Sequence, residues 1–136
     1  MTIWAESRAE LIEGEVAVGC IIRNRVLRPK RFGDTWKKVV HAHDERNIYQ
    51  FSCWWPRDGQ KNYDMLMSYC EAALKGERPW PGQQMWVAEG IISGAIEDRI
   101  GGADHYFADY IAEPRWWKNV IETCQIGVHR FGKEKV

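Results

Sequence analysis

The sequence predicts an α+β domain that is mostly helical, with a small antiparallel β-sheet in its C-terminal third. Apolar residues recur at helical spacing as far as about residue 96, and after the turn signal Gly101-Gly102 the chain becomes rich in aromatic residues typical of strands. Helices that precede a sheet in this way favour the α+β class. With 136 residues and no repeat or linker, we expect one domain over residues 1–136.

The composition is that of an ordinary globular protein and argues against two classes of partner. Nineteen basic residues balance nineteen acidic ones, so we expect neither nucleic acid nor an anionic membrane as a partner. No apolar run approaches the roughly 18–20 residues of a transmembrane helix. The N-terminus lacks the basic and then apolar pattern of an export signal, so we expect synthesis in the cytoplasm without a signal peptide.

Cysteine and tryptophan usage is also informative. The four cysteines, Cys20, Cys53, Cys70 and Cys124, are widely spaced, without the close pairs of a zinc site, and we expect free thiols. Free thiols are consistent with a reducing cytoplasm. Eight tryptophans are an unusually large number, and those outside the core are available to stack against sugar rings.

The first predicted helix carries the residues of greatest chemical interest. Thr2 is its N-cap candidate, and Glu6 and Glu10, four residues apart, would lie on one face before a bend at Gly14. The like charge of Glu10 and crowding by Trp4 would favour the protonated form of Glu6, as a general acid requires. Acidic residues near a helix start are, however, most often a solvated face stabilised by the helix dipole.

Two further helices follow from apolar spacing and capping residues. The second has its apolar face over residues 16–22 and is stopped by Pro29, and we expect it to be the buried central helix. Asp34 or Thr35 caps a third helix over 36–41.

Another two helices and a long loop complete the helical part. The fourth helix begins at Asn62 or Asp64 and ends at Gly76, and the fifth covers about 84–96. The stripe that the fourth helix should bury consists of Leu66, Cys70 and Leu74. Before it, residues 44–61 form an irregular loop with interleaved aromatic and polar side chains and a turn at 57–59, a pattern more often functional than decorative.

The C-terminal third is predicted to contain two paired strands, over 103–110 and 124–131, with a short helix over 114–122 between them. The polar candidates beside Glu6 and Glu10 are Gln50, Ser52, His105, Tyr106, Tyr110 and His129. Two histidines on paired strands could bind a metal, but neither has a third ligand nearby, so we expect structural histidines, no metal and no cofactor. No nucleophile motif, phosphate loop or dinucleotide fingerprint is present, which leaves carboxylate chemistry.

Four separated blocks of this sequence match the pattern of one family in the family's order. They comprise Glu-Ser-Arg-Ala-Glu at 6–10 with the continuation to Val26, Gln-Phe-Ser-Cys-Trp at 50–54, 102–110, and 114–131. Together they resemble the SleB-type cell-wall hydrolases, which include spore-cortex-lytic enzymes and related phage lysins. The sequence departs from the family at Ala9, where glycine is usual, and only five residues precede Glu6, which predicts a short first helix.

The resemblance implies a lysozyme-like α+β catalytic domain that cleaves peptidoglycan glycan strands as a lytic transglycosylase. It assigns catalysis to Glu6, which would protonate the glycosidic oxygen between N-acetylmuramic acid and N-acetylglucosamine. The resulting carboxylate would take the proton of the sugar 6-hydroxyl that closes a 1,6-anhydro ring. Supporting or substrate-binding roles are predicted for Glu10, Gln50, Ser52, Trp54, His105, Tyr106, Tyr110 and His129.

Two other functions stay open from the sequence. A water-using muramidase would need a second carboxylate, for which Glu10, Asp104 and Asp109 are candidates, although Glu10 would share a helix face with Glu6. A non-catalytic peptidoglycan-binding module would hold glycan with its tryptophans alone. The lack of an export signal and of a wall-binding domain suggests a bacteriolytic phage or prophage endolysin that reaches the wall through a pore made by another protein. We also expect a monomer.

Overall fold

The computed structural model describes residues 1–8, 10–56 and 61–136, and its architecture confirms the α+β class. The predicted turn at 57–59 lies outside the described residues. The helices are α1 (Thr2–Glu6), α2 (Ile12–Val26), α3 (Pro29–Phe32), α4 (Trp36–Val40), α5 (Lys61–Leu74) and α6 (Gly82–Ser93). The strands are β1 (His105–Ala108), β2 (Val120–Ile126) and β3 (His129–Glu134), and 3-10 turns occupy Ser52–Trp54 and Arg115–Asn119. No helix in this part of the chain is long and apolar enough to cross a bilayer.

Helix α2 is the centre of the domain, as predicted. Ala17, Cys20 and Ile21 are completely buried, because the apolar residues of α2 face α1, α4, α6 and the sheet. Gly19 allows α6 to approach closely, since a Cβ there would lie 2.8 Å from Ile91 Cγ1. Helix α2 therefore supplies the rigid support on which the N-terminal segment and the sheet are placed.

The predicted first helix is wrong in its extent. Helix α1 ends at Glu6, because the Ser7 hydroxyl and amide both donate to the Ile3 carbonyl and the chain then turns. Glu10 follows in the connection, where its amide donates to the Ser7 carbonyl at 2.9 Å. Gly14 is not a bend but lies in the first turn of α2. The two glutamates thus do not share a helix face.

The predicted boundaries of the other helices are partly correct. Thr35 caps α4 as expected, its hydroxyl accepting from the Lys38 amide at 3.1 Å. Asn62 and Asp64 lie inside α5 rather than at its N-cap. Helix α6 stops three residues before the predicted end because Gly94 adopts a left-handed φ of 81°.

The buried stripe of α5 also differs from the prediction. Leu66, Tyr69 and Ala73 are buried, whereas Leu74 is 77% exposed. The reason is the helical period: seven residues bring the chain back to nearly the same direction, whereas eight residues rotate it by about 80°.

The sheet has three antiparallel strands in the order β1-β3-β2. The strand predicted over 124–131 is in fact a hairpin, because Gly127 turns the chain with a positive φ of 57° between Ile126 and His129, which pair with each other. The short helix predicted over 114–122 is a 3-10 turn that gives way to β2 at Val120. Its Trp117 packs edge-on against Phe107 of β1.

A buried carboxylate connects the sheet to the helices. Asp104 is completely buried, accepts from the Glu134 amide at 2.9 Å, contacts His105 Nδ1 at 2.7 Å and pairs with Arg28. Burial alone would raise the pKa of Asp104, but hydrogen bonds from His105 and the Glu134 amide outweigh it and lower the pKa to about 2. The ionised form of Asp104 therefore stabilises the fold at neutral pH.

Candidate active site

The Glu6 carboxylate lies where three distant segments of the chain meet. Its Oε2 accepts a hydrogen bond of 3.0 Å from the Tyr106 hydroxyl, and its Oε1 accepts one of 3.3 Å from the Cys53 amide. Tyr106 stacks on Phe131 with ring centroids 5.7 Å apart, which fixes the direction of its hydroxyl. Each oxygen of the Glu6 carboxylate is thus oriented by one donor and can still accept a second hydrogen bond.

The two side chains beside Glu6 are held in their protonated forms. Burial, followed by the charge of Glu6, raises the pKa of the Tyr106 hydroxyl well above its usual value. The Cys53 thiol is completely buried and hydrogen-bonds Glu6, and the same two causes in the same order raise its pKa. Cys53 is therefore a neutral thiol, not a nucleophile, and Tyr106 is a stable donor.

A buried cation lies behind this cluster. Arg25 of α2 is 5% exposed, and its Nε donates to the Asp104 carbonyl at 2.7 Å while its guanidinium lies over Phe32 and Phe51. Burial lowers the pKa of Arg25, and neighbouring acidic groups, among them Asp104 and then Glu6, act in the opposite direction. Arg25 is therefore a buried cation close to the Glu6 cluster.

The Glu10 side chain packs closely against two glycines, at positions where any larger residue would collide with it. A Cβ at Gly14 would lie 2.5 Å from Glu10 Cβ, and one at Gly127 would lie 2.6 Å from Glu10 Oε2. The carboxylate also contacts His129, with Oε1 3.2 Å from Nδ1, and both side chains are about 15% exposed. Glu10 thus joins the α1–α2 connection to the hairpin between β2 and β3.

An open cleft of about 550 Å³ brings Glu6 and Glu10 together. Its lining includes Glu6, Arg8, Glu10, Asn62, Tyr110 and His129. Neither Arg8 nor Asn62 was among the site residues predicted from the sequence, although Arg8 lies between the two glutamates of the motif. The Arg8 guanidinium bonds Asn62, donates to Met65 Sδ at 2.8 Å and lies over the Trp4 ring. The cleft therefore presents two carboxylates, one fixed cation and an exposed tyrosine.

The loop candidates contribute to this site in a different way from that expected. Gln50 and Ser52 are exposed, and neither side chain lines the cleft. Trp54 donates from Nε1 to the Thr2 hydroxyl at 2.9 Å and packs against His41, which attaches the 3-10 turn to α1. The loop contributes the backbone amide of Cys53, which donates a hydrogen bond to Glu6.

His105 lies on the other face of the sheet. Successive side chains of a strand point to opposite faces, so Tyr106 faces Glu6 while His105 faces Phe32 and Trp116. The two other carboxylates considered, Asp104 and Asp109, do not line the cleft. Within the described ranges, no group of three or more histidine, cysteine, aspartate or glutamate side chains is arranged to hold a metal.

Comparison with known proteins identifies one family. The family model described as Cell Wall Hydrolase matches residues 9–132, which confirms the resemblance found in the sequence. The matched region contains Glu10, Cys53, Tyr106 and His129 and begins three residues after Glu6. No match was found among curated proteins or among solved structures.

Proposed function

Because the chain belongs to the cell wall hydrolase family, whose substrate is peptidoglycan, we propose that it is a lytic transglycosylase with Glu6 as general acid and then base. The observation that carries this proposal is the Glu6 carboxylate in an open cleft, oriented by Tyr106 and the Cys53 amide. An oriented carboxyl group in a groove is what proton transfer to a glycosidic oxygen requires.

In the first step, protonated Glu6 donates its proton to the oxygen that joins C1 of N-acetylmuramic acid to C4 of N-acetylglucosamine. The C1–O bond breaks, the N-acetylglucosamine end leaves with a 4-hydroxyl, and positive charge develops at C1. The Glu6 anion formed in this step receives the Tyr106 and Cys53 hydrogen bonds, and Arg25 lies nearby. These groups stabilise the charge that the step creates.

In the second step, the 6-hydroxyl oxygen of the same N-acetylmuramic acid bonds to C1 and its proton passes to Glu6. This transfer restores the acid, consumes no water and leaves a 1,6-anhydro end. It needs no second carboxylate and no covalent enzyme intermediate. The neutral Cys53 thiol takes no part as a nucleophile, because burial and the Glu6 charge raise its pKa.

A water-using muramidase is the second candidate, and the position of Glu10 favours it. Glu10 lines the cleft from the α1–α2 connection, not from the same helix face as Glu6. The two carboxylates are therefore not confined to one helix face, contrary to the expectation from the sequence. In this alternative Glu10 would activate a water, which attacks C1 in place of the sugar hydroxyl.

Product analysis with Glu6→Gln tests both candidates. Wild-type protein on purified peptidoglycan should release fragments with anhydro ends, and Glu6→Gln should be at least about a hundredfold slower. Glu89→Gln, at an exposed position of α6 outside the cleft, is the matched control. Reducing ends in the products would establish the muramidase. Sedimentation with cell walls but no release by the wild type would establish a binding module.

A further inference from the structure

A second recess, of about 560 Å³, lies between α2, α6 and β2. Its walls are mainly apolar, with Ile12 and Val16 from α2, Trp86 from α6 and Ile126 from β2. Trp86 is 60% exposed, which is unusual for the largest apolar side chain. We refer to this recess as the Trp86 groove. It presents an aromatic surface that the fold itself leaves uncovered.

Two opposite charges also line the Trp86 groove. Glu13 and Arg99 are exposed, and neither side chain has a hydrogen bond or ion pair with another residue in the described parts of the chain. Elsewhere on the surface Arg31, Lys38 and Arg130 pair with acidic residues. The groove therefore suits a ligand that has apolar groups together with a carboxylate and an ammonium group.

The groove and the Glu6 cleft share two walls. Glu10 lines the cleft while Ile12 and Glu13 line the groove, and on the hairpin residues 127–129 line the cleft while residues 125–126 line the groove. These two segments meet where Glu10 packs against Gly127, since a Cβ at Gly127 would lie 2.6 Å from Glu10 Oε2. The two recesses are therefore neighbours along both segments, as a polymer with a lateral branch would require.

We propose that the Trp86 groove binds the stem peptide of the strand whose glycan occupies the Glu6 cleft. This inference rests on the proposed function. The stem peptide leaves the glycan laterally from N-acetylmuramic acid and has alanine methyl groups, carboxylates and, at its diamino acid, an ammonium group. The methyl groups would pack on Trp86, a carboxylate would pair with Arg99, and the ammonium group would pair with Glu13. A neutral sugar would form no ion pair with either Glu13 or Arg99.

The binding test uses a synthetic tetrapeptide, L-alanine, D-glutamate, a diamino acid and D-alanine, in its diaminopimelate and lysine forms. At least one form should bind the wild-type protein in a calorimetric or NMR titration and shift the Trp86 indole N–H signal. Trp86→Ala and Arg99→Gln should each weaken binding by about tenfold. Trp80→Ala and Arg115→Gln, exposed and outside both recesses, should not change it.

Binding of neither tetrapeptide, or binding that is insensitive to Trp86→Ala and Arg99→Gln, would overturn the inference. So would a peptide-free oligosaccharide that shifts the same Trp86 signal, because the groove would then hold glycan. Since the titration involves no catalysis, it can succeed or fail independently of the cleavage assay with Glu6→Gln. In that cleavage assay, Trp86→Ala should raise KM more for peptide-bearing strands than for strands stripped of their peptides.

Discussion

Gly127→Ala tests whether the hairpin turn is built around the Glu10 carboxylate. The new methyl group would lie 2.6 Å from Glu10 Oε2, so the carboxylate would have to move away from His129. The residue would also keep a φ of 57°, which alanine tolerates poorly. Gly76→Ala is the matched control, because Gly76 has a φ of 74° and no atom within 4 Å of the position of a Cβ.

The expected magnitudes follow from these two contributions. Left-handed backbone at alanine costs about 1–2 kcal/mol, which both variants share. Gly127→Ala should lose about 1–2 kcal/mol more, because it breaks a largely buried contact between Glu10 and His129. The free energy of unfolding should therefore fall by about 2–4 kcal/mol for Gly127→Ala and by about half of that for Gly76→Ala.

A double-mutant cycle measured by urea unfolding isolates the Glu10 contribution. In the Glu10→Ala background the methyl group at Gly127 meets no carboxylate, so its cost should fall to that of Gly76→Ala. An equal cost of Gly127→Ala with and without the Glu10 side chain would refute the reasoning. The hairpin turn would then need glycine only for its backbone conformation.

Three other predictions concern single groups. Tyr106→Phe keeps the ring but removes the donor to Glu6, so kcat on purified peptidoglycan should fall about 10- to 100-fold at nearly unchanged stability. Asp104→Asn should cost about 3 kcal/mol or more at pH 7 in urea unfolding. Since the pKa of Asp104 is lowered to about 2, wild-type protein loses this advantage as the pH falls from about 4 towards 2, and the two curves should converge. Thr35→Ala should cost about 1 kcal/mol by removing the cap on the Lys38 amide, and Thr35→Ser should restore it.

The parts of the fold that the sequence predicted correctly are those set by local patterns. The apolar face of α2 and the cap at Thr35 each follow from neighbouring residues, and the structure has both. The errors arise where a tertiary contact decides. Helix α1 stops at Glu6 although Glu10 would suit a helix, and the Glu10 side chain packs on Gly14 and Gly127 instead of continuing the face of α1. No spacing rule contains that contact, since Gly127 is distant in sequence.

In the candidate site, too, local patterns could be predicted from the sequence and tertiary contacts could not. Glu6 was selected from a motif, and Tyr106 and His129 from their residue types, but their arrangement depends on contacts between distant segments. The Cys53 amide could not have been selected, because every residue except proline offers a backbone N–H. The roles of the site residues, the single domain, the monomeric state and the cellular location stay predictions.

The two glutamates of the motif lie in one cleft but have different partners, and that difference is the strongest reason to give them different roles. Glu6 accepts from two neutral donors and is near the buried Arg25, whereas Glu10 contacts His129, whose charge depends on its protonation. Two carboxyl groups in different surroundings can take different roles in one reaction, one as the proton donor and the other as a charged group. If Glu6 alone exchanges protons with the sugar, Glu10→Gln should lower activity far less than Glu6→Gln. Equal losses would instead favour the muramidase, in which both carboxylates react.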